Sequence, residues 1–201
     1  MSNARRTLTA LVVGALILAA CGGDGATPTT DTAPTTTAAP VTTTEAPTDD
    51  SGLISFSSGQ YPFAVHYPAD WTSDTSQEGT VIVLFSPTTG TDQFSENINV
   101  LVTDEAAGFE SLLDYVEANQ DTLETAIADF VLHDEFEADL GGEPAYALIY
   151  SGVFDGAEID FFQVFSIYQG LAYITTYTGG GADFDTYLDV MLDLLDSWEW
   201  R

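Results

Sequence analysis

The chain is 201 residues long, enough for one domain with attachments or at most two small domains. Its 3 cationic residues, Arg5, Arg6 and Arg201, face 32 acidic ones, a formal net charge of −29. The absence of lysine excludes Schiff-base chemistry, pyridoxal phosphate attachment and a P-loop, and the scarcity of cations disfavours a nucleic-acid partner. The single cysteine, Cys21, excludes an internal disulfide and Cys-based zinc sites. Carboxylate chemistry, hard-cation binding or no catalysis remain, and no cofactor is implied.

Arg5 and Arg6 precede an apolar run from Ala10 to Ala20. That run is shorter than the roughly 20 residues a membrane span needs, and it suits the apolar core of a secretory signal. It ends in Leu18-Ala19-Ala20-Cys21-Gly22, which resembles the bacterial lipobox. The resemblance implies diacylglyceryl transfer to the Cys21 sulfur, cleavage before Cys21 and acylation of the new amino terminus. Residues 1–20 are then a lipoprotein signal peptide, and the mature chain is extracytoplasmic, held to the bacterial cell membrane through its lipid anchor only. Stable anchoring takes two or more acyl chains, each buried CH₂ contributing about 0.8 kcal/mol. Cleavage removes both early arginines and leaves one Arg against 32 acids, a formal −31.

Residues 21–52 form the next unit, the acyl-acceptor cysteine followed by a tether. Residues 22–52 contain 11 Thr and 4 Pro, and Val41 is the only bulky apolar residue among them. Such a segment cannot bury enough apolar area to offset the entropy of ordering it, so disorder is expected. Asp50-Ser51-Gly52 matches the D-[ST]-G signature of aspartic proteases, but it occurs once, in an Asp-rich chain, and chance explains it.

Residues 53–201 read as one globular domain. Strand patterns cover Leu53–Ser57, Phe63–Tyr67, Thr80–Phe85 and Asn97–Thr103. A helix is expected near Gly108–Asp129, with Phe109, Leu112, Leu113, Val116, Leu123, Ile127 and Phe130 on its apolar stripe. Strands follow at about Phe130–Leu140, Ala145–Phe154, Ile159–Gln169 and Ala172–Thr178, with turns at Asp155-Gly156 and Gln169-Gly170. The chain closes on an amphipathic helix, about Asp183–Ser197, in which Phe184, Tyr187, Leu188, Met191, Leu192 and Leu195 recur at helical spacing and Asp183 can cap. Short links force antiparallel neighbours. The later strands are apolar on both faces, Phe162, Val164 and Tyr168 against Phe161, Phe165 and Ile167, so they need cover on both sides. The expected fold is α+β, an α/β/α sandwich with a central antiparallel sheet of about six to eight strands and two main helices.

The segment from Tyr61 to Trp71 (YPFAVHYPADW) resembles the opening motif of the PsbP-like family. Further resemblance lies in Val83–Pro87, Asn97–Val100, Gly141–Ala145, Leu171–Thr178 and Asp196-Ser197-Trp198. Membership would imply the sandwich just described, shared by photosystem PsbP proteins, the Ran-binding Mog protein and many bacterial lipoproteins. Those relatives mostly bind or stabilise protein partners and share no catalytic site. No particular partner carries over, since a fold does not fix a function.

Among candidate sites, Glu135, Glu137 and Asp139 share one strand face and, with His133, could form a shallow Ca²⁺ or Mn²⁺ patch. Outward side chains diverge, however, and a solvated acidic face is the plainer reading, so no metal site is assigned. Asp155–Asp160 and Asp183–Asp185 do not match an EF-hand loop. No G-x-S-x-G elbow is present. His66 and His133 read as partly exposed strand residues. Tyr146, Tyr150, Tyr168, Tyr173 and Tyr177 concentrate aromatic surface in the last strands, as core or as a groove for an apolar or sugar ligand. The expectation is a non-enzymatic, membrane-anchored envelope lipoprotein whose domain binds an envelope or secreted protein. The alternative is a module binding a lipid, glycan or divalent cation.

Overall fold

A computed structural model describes residues 52–88, 94–154, 156–180 and 184–201. Cys21, the expected signal peptide and the expected tether up to Ser51 lie outside the described residues, as do Asp155 and Asp183. The strands are β1 (Leu53–Ser57), β2 (Phe63–Pro68), β3 (Thr72–Asp74), β4 (Ile82–Phe85), β5 (Asn97–Thr103), β6 (Ala128–Leu140), β7 (Glu143–Phe154), β8 (Ala157–Tyr168), β9 (Leu171–Gly180) and β10 (Glu199–Trp200). Helix α1 (Leu112–Ala126) separates β5 from β6, and α2 (Phe184–Asp196) separates β9 from β10.

A seven-stranded antiparallel sheet carries the order β3-β4-β5-β9-β8-β7-β6, and β1-β2-β10 form a second, three-stranded sheet. The central sheet falls within the expected size. The second sheet was not anticipated, and neither were β3 and β10. Their three- and two-residue lengths leave no period to read, and β3 is wholly polar.

Two-residue turns set the register. Gln169 and Gly170 both have positive φ (52° and 80°), as do Gly141 and Gly142 (59° and 89°). That is the geometry whose twist matches paired strands, and it joins Tyr168 to Leu171 and Leu140 to Glu143. At Gly141 a Cβ would also lie 2.9 Å from both the Trp198 and Trp200 indoles, so the position demands glycine twice over.

Alternation then sorts β7, β8 and β9 onto two cores. On one face Ala147, Phe162, Val164, Tyr173 and Tyr177 meet Met191 and Leu194 of α2 and Phe63, Val65 and Tyr67 of β2. On the other, Leu148, Tyr150, Phe161, Phe165 and Ile174 meet Tyr115 and Val116 of α1. The small sheet and α2 thus form one outer layer and α1 the other. Each fully buried apolar side chain contributes roughly 1.5–3 kcal/mol relative to exposure.

Helix α1 starts at Leu112 rather than Gly108, because Ser111 caps it. The Ser111 hydroxyl oxygen accepts the Asp114 N–H at 3.1 Å, and a 3-10 turn occupies Glu105–Gly108. The buried stripe is also rotated from the expected one: Tyr115 is buried, whereas Leu113 is exposed. Tyr115 ties the stripe to the sheet through edge-on ring contacts with Phe109 and Phe165.

Candidate functional site

The central sheet ends on β6, thirteen residues that pair with β7 on one side and, among the described residues, with no strand on the other. The strand forms because acidic and apolar residues alternate along Glu135–Leu140 and because β7 offers a matching row. Its first half is irregular. Register shifts fall between Ala128 and Val131 and between Leu132 and Asp134, and Asp129 takes a positive φ of 51° in the first. Asp tolerates that conformation better than most residues, and extra residues of this kind bend an edge strand. From Asp134 to Leu140 the pairing runs without interruption.

In that stretch Glu135, Glu137 and Asp139 lie opposite Leu148, Tyr146 and Pro144, on the face that carries α1. The expected sharing of one face therefore holds. Asp139 accepts the Gly142 N–H at 2.8 Å and so helps close the turn. Among the described residues no three His, Cys, Asp or Glu side chains are grouped to hold a metal ion. The row instead creates a negative field. The Tyr146 hydroxyl is held above its ordinary value, first by burial and then by Glu135, Glu137 and Glu117. On the other face Phe136 lies opposite Ala147 and its ring approaches Phe162 (6.4 Å), yet it remains 40% exposed. Val131, opposite Ser151, is 49% exposed. The edge therefore presents two large apolar side chains among carboxylates.

His133 occupies the second irregularity, which turns its ring toward Ser151, with Nε2 and Oγ 2.8 Å apart. Ser151 is 4% exposed and pairs with Asp160 on β8. Burial raises the Asp160 carboxyl above its ordinary value; the nearby His133 opposes this, while Glu158 and Asp185 reinforce it. Serine, histidine and aspartate are thus neighbours, a grouping that sequence reasoning missed because a bulge, not a spacing, assembles it. The ring's hydrogen bond goes to a serine that is itself buried. His66 is half-buried on β2, where its N–H donates to the Ser197 hydroxyl oxygen at 2.8 Å.

The tyrosines divide. Tyr150, Tyr173 and Tyr177 are buried, and Tyr146 and Tyr168 are partly exposed. Burial raises all three buried hydroxyls. Tyr177 donates to the Phe184 carbonyl at 2.8 Å, fastening the start of α2 to β9. At the far end of the sheet Tyr168 stacks on Trp200 (4.2 Å) and Phe63 on Trp198 (4.6 Å), so these rings fill one another. Within that packing the Tyr173 hydroxyl and the Trp198 Nε1–H have no hydrogen-bond partner. A buried carboxylate, Glu96, accepts from the Ser86 hydroxyl at 2.9 Å; no motif in the sequence marks it.

The architecture has solved counterparts. The Synechocystis sp. PCC 6803 PsbP (CyanoP) solution structure matches with a TM-score of 0.57 and 16% identity, covering 75% of this chain and 93% of that one. The fold is PsbP-like. LpqN of Mycobacterium tuberculosis, described as involved in cell envelope biogenesis, matches with a TM-score of 0.53 and 15% identity over 68% of this chain and 82% of its own. PA94 of Pseudomonas aeruginosa, a protein of unknown function, matches with a TM-score of 0.53 and 19% identity over 70% and 91%. No protein-family model matches the chain, and no curated protein matches its sequence. At these identities the likeness speaks for the PsbP-like fold alone.

Proposed function

We propose that this chain is a non-enzymatic, lipid-anchored envelope protein whose PsbP-like domain docks another extracytoplasmic protein through the edge strand β6. The open, thirteen-residue edge carrying exposed Val131 and Phe136 is the observation that supports docking. Exposed apolar side chains on an unpaired edge are the ingredients of strand addition, in which main-chain hydrogen bonds supply affinity and alternate side chains supply specificity. Anchoring rests on Leu18–Cys21 and the apolar run before it. LpqN, described as an envelope-biogenesis protein with the same fold, is in keeping with that location.

Two experiments test the reading. Cys21→Ser should release the protein from the membrane into the medium, and unchanged retention would refute the anchor. A photo-crosslinking amino acid at position 136 in cells should give a discrete adduct with another envelope protein. The same group at position 113, exposed on α1, should not. Equal adducts from both positions, or none from position 136, would refute docking at this edge.

A further inference from the structure

We infer that the occupant of the β6 edge is an extended segment of a partner protein in which Lys or Arg alternates with apolar residues. This rests on the docking reading above and specifies the chemistry of the partner.

The stretch Asp134–Leu140 is the part of β6 that can accept a strand. It is regular, whereas the residues before it are bulged, and at about 3.3 Å per residue it offers roughly 20 Å of straight edge. Its two faces differ in kind. The α1 face presents Glu135, Glu137 and Asp139 in a row, and the α2 face presents Phe136 and Ala138, with Leu140 buried beyond them. A strand laid against this edge alternates its own side chains between the same two faces, and neighbours across a ladder lie about 4.5–5.5 Å apart. Every second side chain therefore meets a carboxylate, and those between meet Phe136 and Ala138.

The carboxylate row has no counter-ion within the domain. Arg201 is the only Lys or Arg among the described residues, and it pairs with Glu199 at 3.8 Å. The negative row is thus complementary to a cationic strand and repels an acidic one. A second copy of this chain is disfavoured for the same reason, because β6 against β6 sets carboxylates opposite carboxylates. Charge on an edge commonly prevents self-pairing. Here it also selects, since a strand that brings its own cations removes the obstacle.

The test uses the full chain carrying Cys21→Ser and three synthetic ten-residue peptides: alternating Lys-Val, alternating Glu-Val, and one of the Lys-Val composition with the lysines in a block. Binding is followed by amide NMR and repeated in high salt. The Lys-Val peptide should bind saturably, shift the amides of Asp134–Leu140, and bind at least about tenfold more tightly than either control. Glu135→Gln, Glu137→Gln and Asp139→Asn combined should weaken it at least about tenfold, as should Phe136→Ser alone. All these changes are at exposed positions, and unchanged amide signals outside β6 and its neighbours verify the fold. Equal binding of the Glu-Val or blocked peptide, shifts centred elsewhere, or no binding would overturn the inference. The crosslink from position 136 separates the two ideas. A partner captured there without a basic alternating segment defeats this inference and leaves docking standing, whereas absence of any such adduct defeats docking itself.

Discussion

The two edges of the central sheet are built on opposite principles. At one end β3 is three residues long and all polar, and behind it β4 is buried with Ile82, Val83 and Leu84 inaccessible. At the other end β6 is thirteen residues long, and most of it is exposed. A short edge gives a foreign strand little to pair with; a long one needs another safeguard. β6 has it in bulges over its first half and carboxylates over its second. Had protection been the sole requirement, a shorter strand would have served. Length, exposed Phe136 and a charge row without an internal counter-ion together fit an edge reserved for one kind of visitor.

The contrast can be broken in stability measurements. Leu84→Ala, beside the short edge, should cost about 2–5 kcal/mol, the usual range for emptying a closed core position. Val131→Ala on the long edge should stay within about 0.5 kcal/mol, as exposed substitutions do. Comparable losses in denaturant titrations would show that β6 is no freer than β4.

A smaller effect is expected at Gly152 of β7, which packs against the link from α1 into β6. A Cβ there would run into the Ile127 side chain and come within 3.2 Å of the Ala128 carbonyl oxygen. Gly152→Ala should therefore cost about 1–3 kcal/mol through overpacking and disturb the start of β6. A neutral result would mean that β6 does not depend on this close approach.

Charge at the His133 bulge gives a pH-dependent test. Burial raises the Asp160 carboxyl, so the folded state holds that proton more tightly than the unfolded chain. The penalty for ionising it is absent below the ordinary carboxylate range and complete above the raised value; stability therefore falls as pH rises through that window. Asp160→Asn should raise the melting temperature at neutral pH, and the gain should fade below about pH 4. A gain that persists in acid would point to a packing effect. Charge over the whole chain acts in the same direction. Screening the excess of acids should raise the melting temperature between low salt and about 1 M, and equal values would contradict it.

The smallest expected effect lies in the aromatic packing at the end of the sheet. Tyr173→Phe removes a buried hydroxyl that has no partner and should be neutral or slightly stabilising, within about 1 kcal/mol. A clear loss would reveal a hydrogen bond there.

The alternation of Phe162 and Val164 against Phe161 and Phe165 was legible in the sequence, and so were the two covered faces it requires. The α2 stripe was also legible, although Leu192, read as part of it, is exposed. What escaped were features decided by other parts of the chain. β10 is a strand because Trp200 lies opposite Phe63 and its Nε1–H reaches the Leu140 carbonyl at 2.8 Å, across 60 residues of sequence. The Ser151–His133 contact exists because an added residue shifts the register, and no local spacing announces that. At the candidate edge the sequence showed that Glu135, Glu137 and Asp139 share a face. It did not show that their strand is the last of the sheet, which turns an acidic face into a candidate docking edge.

Hydrogen exchange along Asp134–Leu140, with and without the alternating Lys-Val peptide, tests the central claim most directly. The account predicts fast-exchanging amides on the open side of β6 in the free protein and strong, local protection in the presence of the peptide. Amides already protected without it, or unchanged when it is present, would contradict an open edge awaiting a strand.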